Sequence, residues 1–160
     1  MKRIFIIAAV FMLPIISLAA EVTSAKITDF GIYSRNTIDT EKLAGAPTGN
    51  RANIDGIVFS EKTTRIPAKK DVRFGFRFVL DGTPSGSDIV IKRKVIHPPI
   101  TEDKQVFTAH EYELTYTLGT ETVTGYAFGS AYLMVPGEWT FQIFFEGKKL
   151  LEQTFTVYKP

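Results

Sequence analysis

The ten residues Asp71-Val72-Arg73-Phe74-Gly75-Phe76-Arg77-Phe78-Val79-Leu80 decide the fold class. Val72, Phe74, Phe76, Phe78 and Leu80 fall on one parity, while Asp71, Arg73, Gly75 and Arg77 fall on the other. In an extended chain successive side chains point to opposite faces, so this stretch is apolar on one side and polar on the other. That is the pattern of an antiparallel strand with one face on a core and one in water. Asp81-Gly82-Thr83-Pro84 follows as a turn signal.

The C-terminal end repeats this grammar. Trp139, Phe141, Ile143 and Phe145 share one parity, Glu146-Gly147-Lys148 reads as a turn, and Leu151, Phe155 and Val157 line the return strand, with Gln153 its polar member. Two strands joined by a short Gly-containing connection predict a hairpin. Weaker alternation extends over Ser87 to Ile96, which stops at His97-Pro98-Pro99, over Phe107 to Leu118, and over Val123 to Met134. Val22 to Tyr33 and Ile54 to Ile66 also read as extended. No long stretch repeats at helical spacing. The prediction is an all-β, immunoglobulin-like antiparallel sandwich of roughly eight strands, with a small β-barrel as the alternative. Ser34 to Asn53 is polar and aperiodic, and is expected to be a long loop, either a linker or a contact with a ligand or partner.

Upstream of this domain, Met1 to Ala20 reads as a secretory signal peptide. Lys2 and Arg3 form the positive end, Ile4 to Ile16 the apolar core, and Ser17-Leu18-Ala19-Ala20 the small-residue cleavage region. The apolar run is shorter than the roughly 20 residues a transmembrane helix needs, and Pro14 interrupts it. Cleavage is expected after Ala19 or Ala20, and residues 21–160 form one domain, expected in the periplasm or outside the cell and not inserted in a membrane. Absence of cysteine excludes a lipid anchor at the cleavage site, disulfides and thiol chemistry.

Charge narrows the partners. The chain has 19 Lys+Arg and 17 Asp+Glu. Lys2 and Arg3 belong to the signal and all the acids lie beyond it, so the mature domain carries 17 of each sign. Nucleic-acid binding rests on a surplus of cations, which is missing here.

Several features form an ordered set. They are Asp29-Phe30-Gly31-Ile32-Tyr33, Thr64-Arg65-Ile66-Pro67-Ala68, Phe74-Gly75-Phe76-Arg77-Phe78, His97-Pro98-Pro99, and Pro136-Gly137-Glu138-Trp139-Thr140-Phe141 leading to Thr154-Phe155-Thr156-Val157. Across nearly the whole mature chain this set resembles a family of small exported bacterial proteins known only as a domain of unknown function. The resemblance implies an exported β-sandwich and brings no catalytic residues with it.

Candidate chemistry is sparse. His97 precedes two prolines and reads as a turn histidine packed on them. His110 lies on the apolar parity of its segment and reads as half-buried. A general base needs a nucleophile or carboxylate within reach, and the sequence nominates none for His97. The two histidines with Glu111 or Glu113 lack a metal-ligand spacing, so no metal or cofactor is expected. Glu111 and Glu113 share a face, as a glycosidase pair would, whose carboxyls stand roughly 5–9.5 Å apart. Arg73, Arg77, Lys92 and Lys94 make salt-bridged sheet surface the plainer reading. Tyr126, Phe128 and Tyr132 share one parity, and Phe144 lies on the outer parity of the last hairpin. They are either core or an exposed platform for sugar rings or peptide. The functional expectation is a non-enzymatic binding module for an envelope protein, peptide or glycan. The alternatives are a carbohydrate-active or other hydrolytic enzyme, and a passive structural domain.

Overall fold

A computed structural model describes residues 19–42, 50–102 and 104–160. Residues 1–18, which hold most of the expected export signal, lie outside the described residues, as do 43–49. Among the described residues the chain forms nine strands. They are β1 (Glu21–Lys42), β2 (Asn50–Glu61), β3 (Arg65–Pro67), β4 (Arg73–Thr83), β5 (Asp88–Glu102), β6 (Gln105–Thr117), β7 (Glu121–Ala127), β8 (Gly137–Phe145) and β9 (Lys148–Tyr158). One sheet has the order β2-β1-β4-β7 and the other β3-β9-β8-β5-β6. Only the short β3 pairs in parallel, against β9. No helix among the described residues is long and apolar enough to cross a membrane.

The two sheets pack as a sandwich, and β4 shows why. Phe74, Phe76, Phe78 and Leu80 are each at most 1% exposed, whereas Arg73 and Arg77 on the other parity are only partly covered. The facing strands β8 and β9 bring Trp139, Phe141 and Phe155 to ring-centroid distances of 5.9, 5.5 and 5.4 Å from Phe74. All three contacts are edge-on, the arrangement in which a positive ring edge meets a negative face. In a chain without cysteine, these rings supply the cross-link between sheets.

Glycine admits one close approach. Gly75 of β4 pairs with Gly125 of β7. A Cβ on Gly125 would stand 2.5 Å from Tyr33 Oη and 2.7 Å from Phe74 O, so the phenol of β1 rests directly on the β7 backbone.

Three expectations are corrected. The 34–53 segment is not one loop, because β1 continues to Lys42 and β2 begins at Asn50, paired from Tyr33↔Phe59 to Lys42↔Asn50. Register shifts between Ile32 and Tyr33, Ser34 and Asn36, and Thr37 and Asp39 break the period-two pattern, which hid the strands. His97-Pro98-Pro99 does not end its strand either. β5 runs on to Glu102, and the prolines occupy an irregularity in which pairing steps from Ile96↔Ala109 to Ile100↔Phe107. Residues in a bulge need donate no ladder hydrogen bond, so proline is tolerated there. Finally, the extended segment predicted over Val123 to Met134 stops at Ala127, and Ala131–Leu133 forms a 3-10 turn.

Candidate functional site

The parity of β5 divides its side chains between two environments. Ile89, Ile91, Arg93, Val95 and His97 turn inward and are buried. Val90, Lys92 and Lys94 therefore stand on the outer face of the five-stranded sheet. The same alternation puts Glu111 and Glu113 of β6 outward, in register with Lys94 and Lys92 respectively. On the other side Phe144 of β8 pairs with Lys92. These side chains, with Glu146 and Gly147 from the β8–β9 turn, line an open groove of about 520 Å³.

Electrostatics inside the groove are uneven. Glu111 is held between two ammonium groups, 3.4 Å from Lys92 Nζ and 3.9 Å from Lys94 Nζ. Glu113 and Glu146 have no ion-pair or hydrogen-bond partner among the described residues. Phe144 is half-buried, lines the groove and has no aromatic neighbour among the described residues. The groove thus offers one apolar ring surface flanked by two free carboxylates and two lysines.

The other expected site residues go elsewhere. Phe128 is fully buried, 5.3 Å from Phe74 and 5.7 Å from Trp139, which removes it from any surface. Tyr126 is half-buried, its ring 4.8 Å from Trp139 and 5.6 Å from His110. Burial raises its phenol pKa, and the nearby Tyr132 and Glu102 add to that. Tyr132 is exposed and donates to Glu102 Oε1 at 2.8 Å. The expected aromatic set is therefore divided: Tyr126 and Phe128 pack with the inter-sheet rings, Tyr132 sits on the 3-10 turn, and Phe144 lies on the outer face of the five-stranded sheet.

His97 is not a turn histidine. It is 6% exposed, its ring 5.0 Å from Trp139, with Nδ1 2.8 Å from Pro98 O. His110 is half-buried, as its parity suggested, and its ring lies 5.5 Å from that of His97. Its pKa is lowered to about 4, first by burial and then by the charges of Arg93 and His97. No cluster of three or more metal-ligating side chains exists among the described residues.

One charged residue escaped notice in the sequence. Arg93 lies on the same inward parity as Ile89, Ile91 and Val95, and it is only 9% exposed. A cation in an otherwise apolar alternation was the available signal.

The sequence signature described as Domain of unknown function (DUF3859) matches residues 21–157. The chain belongs to the DUF3859 family. This agrees with the resemblance carried by the ordered motifs. An immunoglobulin-like protein from Pseudomonas aeruginosa, known from a crystal structure, is similar to this DUF3859 chain with a TM-score of 0.57 and 21% identity. The match covers 89% of this chain and 99% of that one. It supports the immunoglobulin-like sandwich for this DUF3859 member and nothing further about activity. No curated protein matches the chain.

Proposed function

We propose that the mature domain is an exported, non-enzymatic binding module of the bacterial cell envelope, and that its ligand is a glycan held in the outer groove of the five-stranded sheet. The half-buried Phe144 ring beside Lys92, with the unpaired carboxylates of Glu113 and Glu146 in the same groove, carries this reading. A sugar ring has an apolar face that stacks on an aromatic and hydroxyls that need acceptors and donors at its rim. Both are present around Phe144. The mixed charge of the lining favours a neutral polar ligand over a nucleic acid or an anionic surface.

Titrating the mature chain with soluble envelope glycan fragments, followed by amide chemical shifts, tests the reading. Shifts concentrated at Val90, Lys92, Glu113 and Phe144, lost in Phe144→Ala, are expected. Shifts at those positions with peptides only, or none at all, would sink it.

The hydrolytic alternative needs Glu111, Glu113 or His97 as catalytic groups. Ion pairing of Glu111 and the packing of His97 against Trp139 support structural roles for both. If Glu111→Gln and His97→Ala both fully rescue a deletion strain, the enzyme reading is finished.

A further inference from the structure

The buried Arg93 has an unusual set of neighbours. Its Nη1 donates to Tyr112 Oη on β6, and its Nη2 crosses between the sheets to donate to Gly125 O on β7. The guanidinium carbon lies 5.2 Å from the centre of the Tyr112 ring and 5.5 Å from that of Phe141. No carboxylate pairs with it among the described residues. The aromatic faces offset only part of a buried charge, and an isolated ion away from water is costly.

Two donors beside this cation lack partners. Arg93 Nε and Thr124 Oγ1 are both buried and make no hydrogen bond. Both residues line one cavity between the sheets, of about 70 Å³, together with Tyr112, Leu114, Thr122 and Ile143. That volume is large enough for water or for a small ion. Water would satisfy the two donors but leave the guanidinium charge uncompensated. A small anion does both, because charge-assisted hydrogen bonds from Nε and a hydroxyl converge on it.

We propose that this cavity is a binding site for a small monovalent anion, a halide or a short carboxylate such as formate, held by Arg93 Nε and Thr124 Oγ1 at the junction of β5, β6 and β7. The cavity suits an anion of one to three heavy atoms. Tyr112, which is 46% exposed, is one of its lining residues. The site is distinct from the Phe144 groove on the outer face of the sheet and does not depend on the glycan reading.

Crystals soaked in sodium bromide test it directly. An anomalous peak within about 4 Å of Arg93 Nε is expected, a contact of charge-assisted hydrogen-bond type for a large ion. Ordered water without anomalous signal at that position would overturn the proposal. In solution, formate should raise the melting temperature by about 3 °C or more over benzenesulfonate at equal ionic strength, through preferential binding to the folded state. Thr124→Val, which keeps the shape and removes the hydroxyl, should weaken the apparent formate affinity about tenfold, and Arg93→Met should abolish the effect. Thr124→Val and the bromide peak decide the matter even if Arg93→Met does not fold. An equal formate effect in the wild type and Thr124→Val also overturns the assignment.

Discussion

The imidazole of His97 packs against the indole of Trp139, with ring centroids 5.0 Å apart and planes inclined by 31°. His97 sits on β5 in the irregularity that holds two prolines, and Trp139 sits on β8, which pairs with β5 from Phe144 to Thr140. Trp139 Nε1 donates to Val135 O at 3.0 Å, so the indole is fixed at both its polar and its apolar edge. Trp139 is also the only tryptophan of the chain, which makes this contact visible to fluorescence.

Replacing His97 with Ala should therefore act on packing. A buried ring removed from the indole face leaves a cavity, and the expected cost is about 2–3 kcal/mol. Urea denaturation should report that loss together with a red shift of Trp139 emission in the folded state. A His97→Ala protein with unchanged stability and unchanged emission would contradict the contact described.

Phe74 is the aromatic hub, with five rings within 6.4 Å of its centroid. Phe74→Ala should destabilise the domain by about 3–5 kcal/mol, and Phe74→Leu by appreciably less. Chemical denaturation of both variants under one buffer condition provides the comparison. Equal losses would mean that ring-edge contacts contribute little here.

Protonation of His110 gives a pH dependence with a definite sign. Its folded pKa of about 4 lies below the ordinary 6.5, chiefly through burial, then through the nearby positive charges of Arg93 and His97. Between these values the unfolded chain binds the proton and the folded chain does not. The stabilisation is thus fully present above pH 6.5, falls as the pH drops through the window from 6.5 to about 4, and levels off below. Solvent reaches the ring and screens these effects, so a loss of about 1–2 kcal/mol is expected. Urea midpoints across this window should show a slope that His110→Gln reduces. An unchanged slope in that variant would assign the effect elsewhere.

Glu111 should matter little to stability despite its two lysine partners. All three side chains are more than a third exposed, and exposed ion pairs of this kind contribute about 0–1 kcal/mol. Glu111→Gln should leave the denaturation midpoint nearly unchanged, with any small effect vanishing in high salt. A loss above about 2 kcal/mol would show that Glu111 does more than pair on the surface.

Gly125→Ala probes the opposite situation, where a small side chain cannot be accommodated. The added methyl would press on Tyr33 Oη and on the backbone carbonyl of Phe74 at under 3 Å. The phenol can swing away, but the carbonyl belongs to the β4–β7 ladder and cannot. A loss of about 1–3 kcal/mol is expected on thermal or chemical denaturation. Full stability in this variant would mean that β7 shifts freely at the sheet edge.

Legibility in the sequence followed the strength of the alternation. Phe74 to Leu80 and Trp139 to Val157 announced the two facing strand sets, because each buries one side of a regular strand, and the structure places Phe74, Phe76, Phe78, Trp139, Phe141 and Phe155 in one core. Polar strands were harder to see. The distal parts of β1 and β2 hold together through backbone pairing with register shifts, which leaves no apolar period to read. Tyr112 shares the inward parity of β6 yet is 46% exposed, since β6 is an edge strand.

What the sequence determined by itself is compositional and periodic: the lack of cysteine and an all-β sandwich with aromatic packing. Tertiary structure decided what faces what. Alternation assigns a side chain to a face, but strand order selects its neighbours. Only pairing of β5 with both β6 and β8 joins Lys92, Glu113 and Phe144 in one groove. Only the approach of the two sheets carries Arg93 from β5 to the carbonyl of Gly125 on β7. Such contacts lie between residues distant in the chain, and no local pattern encodes them.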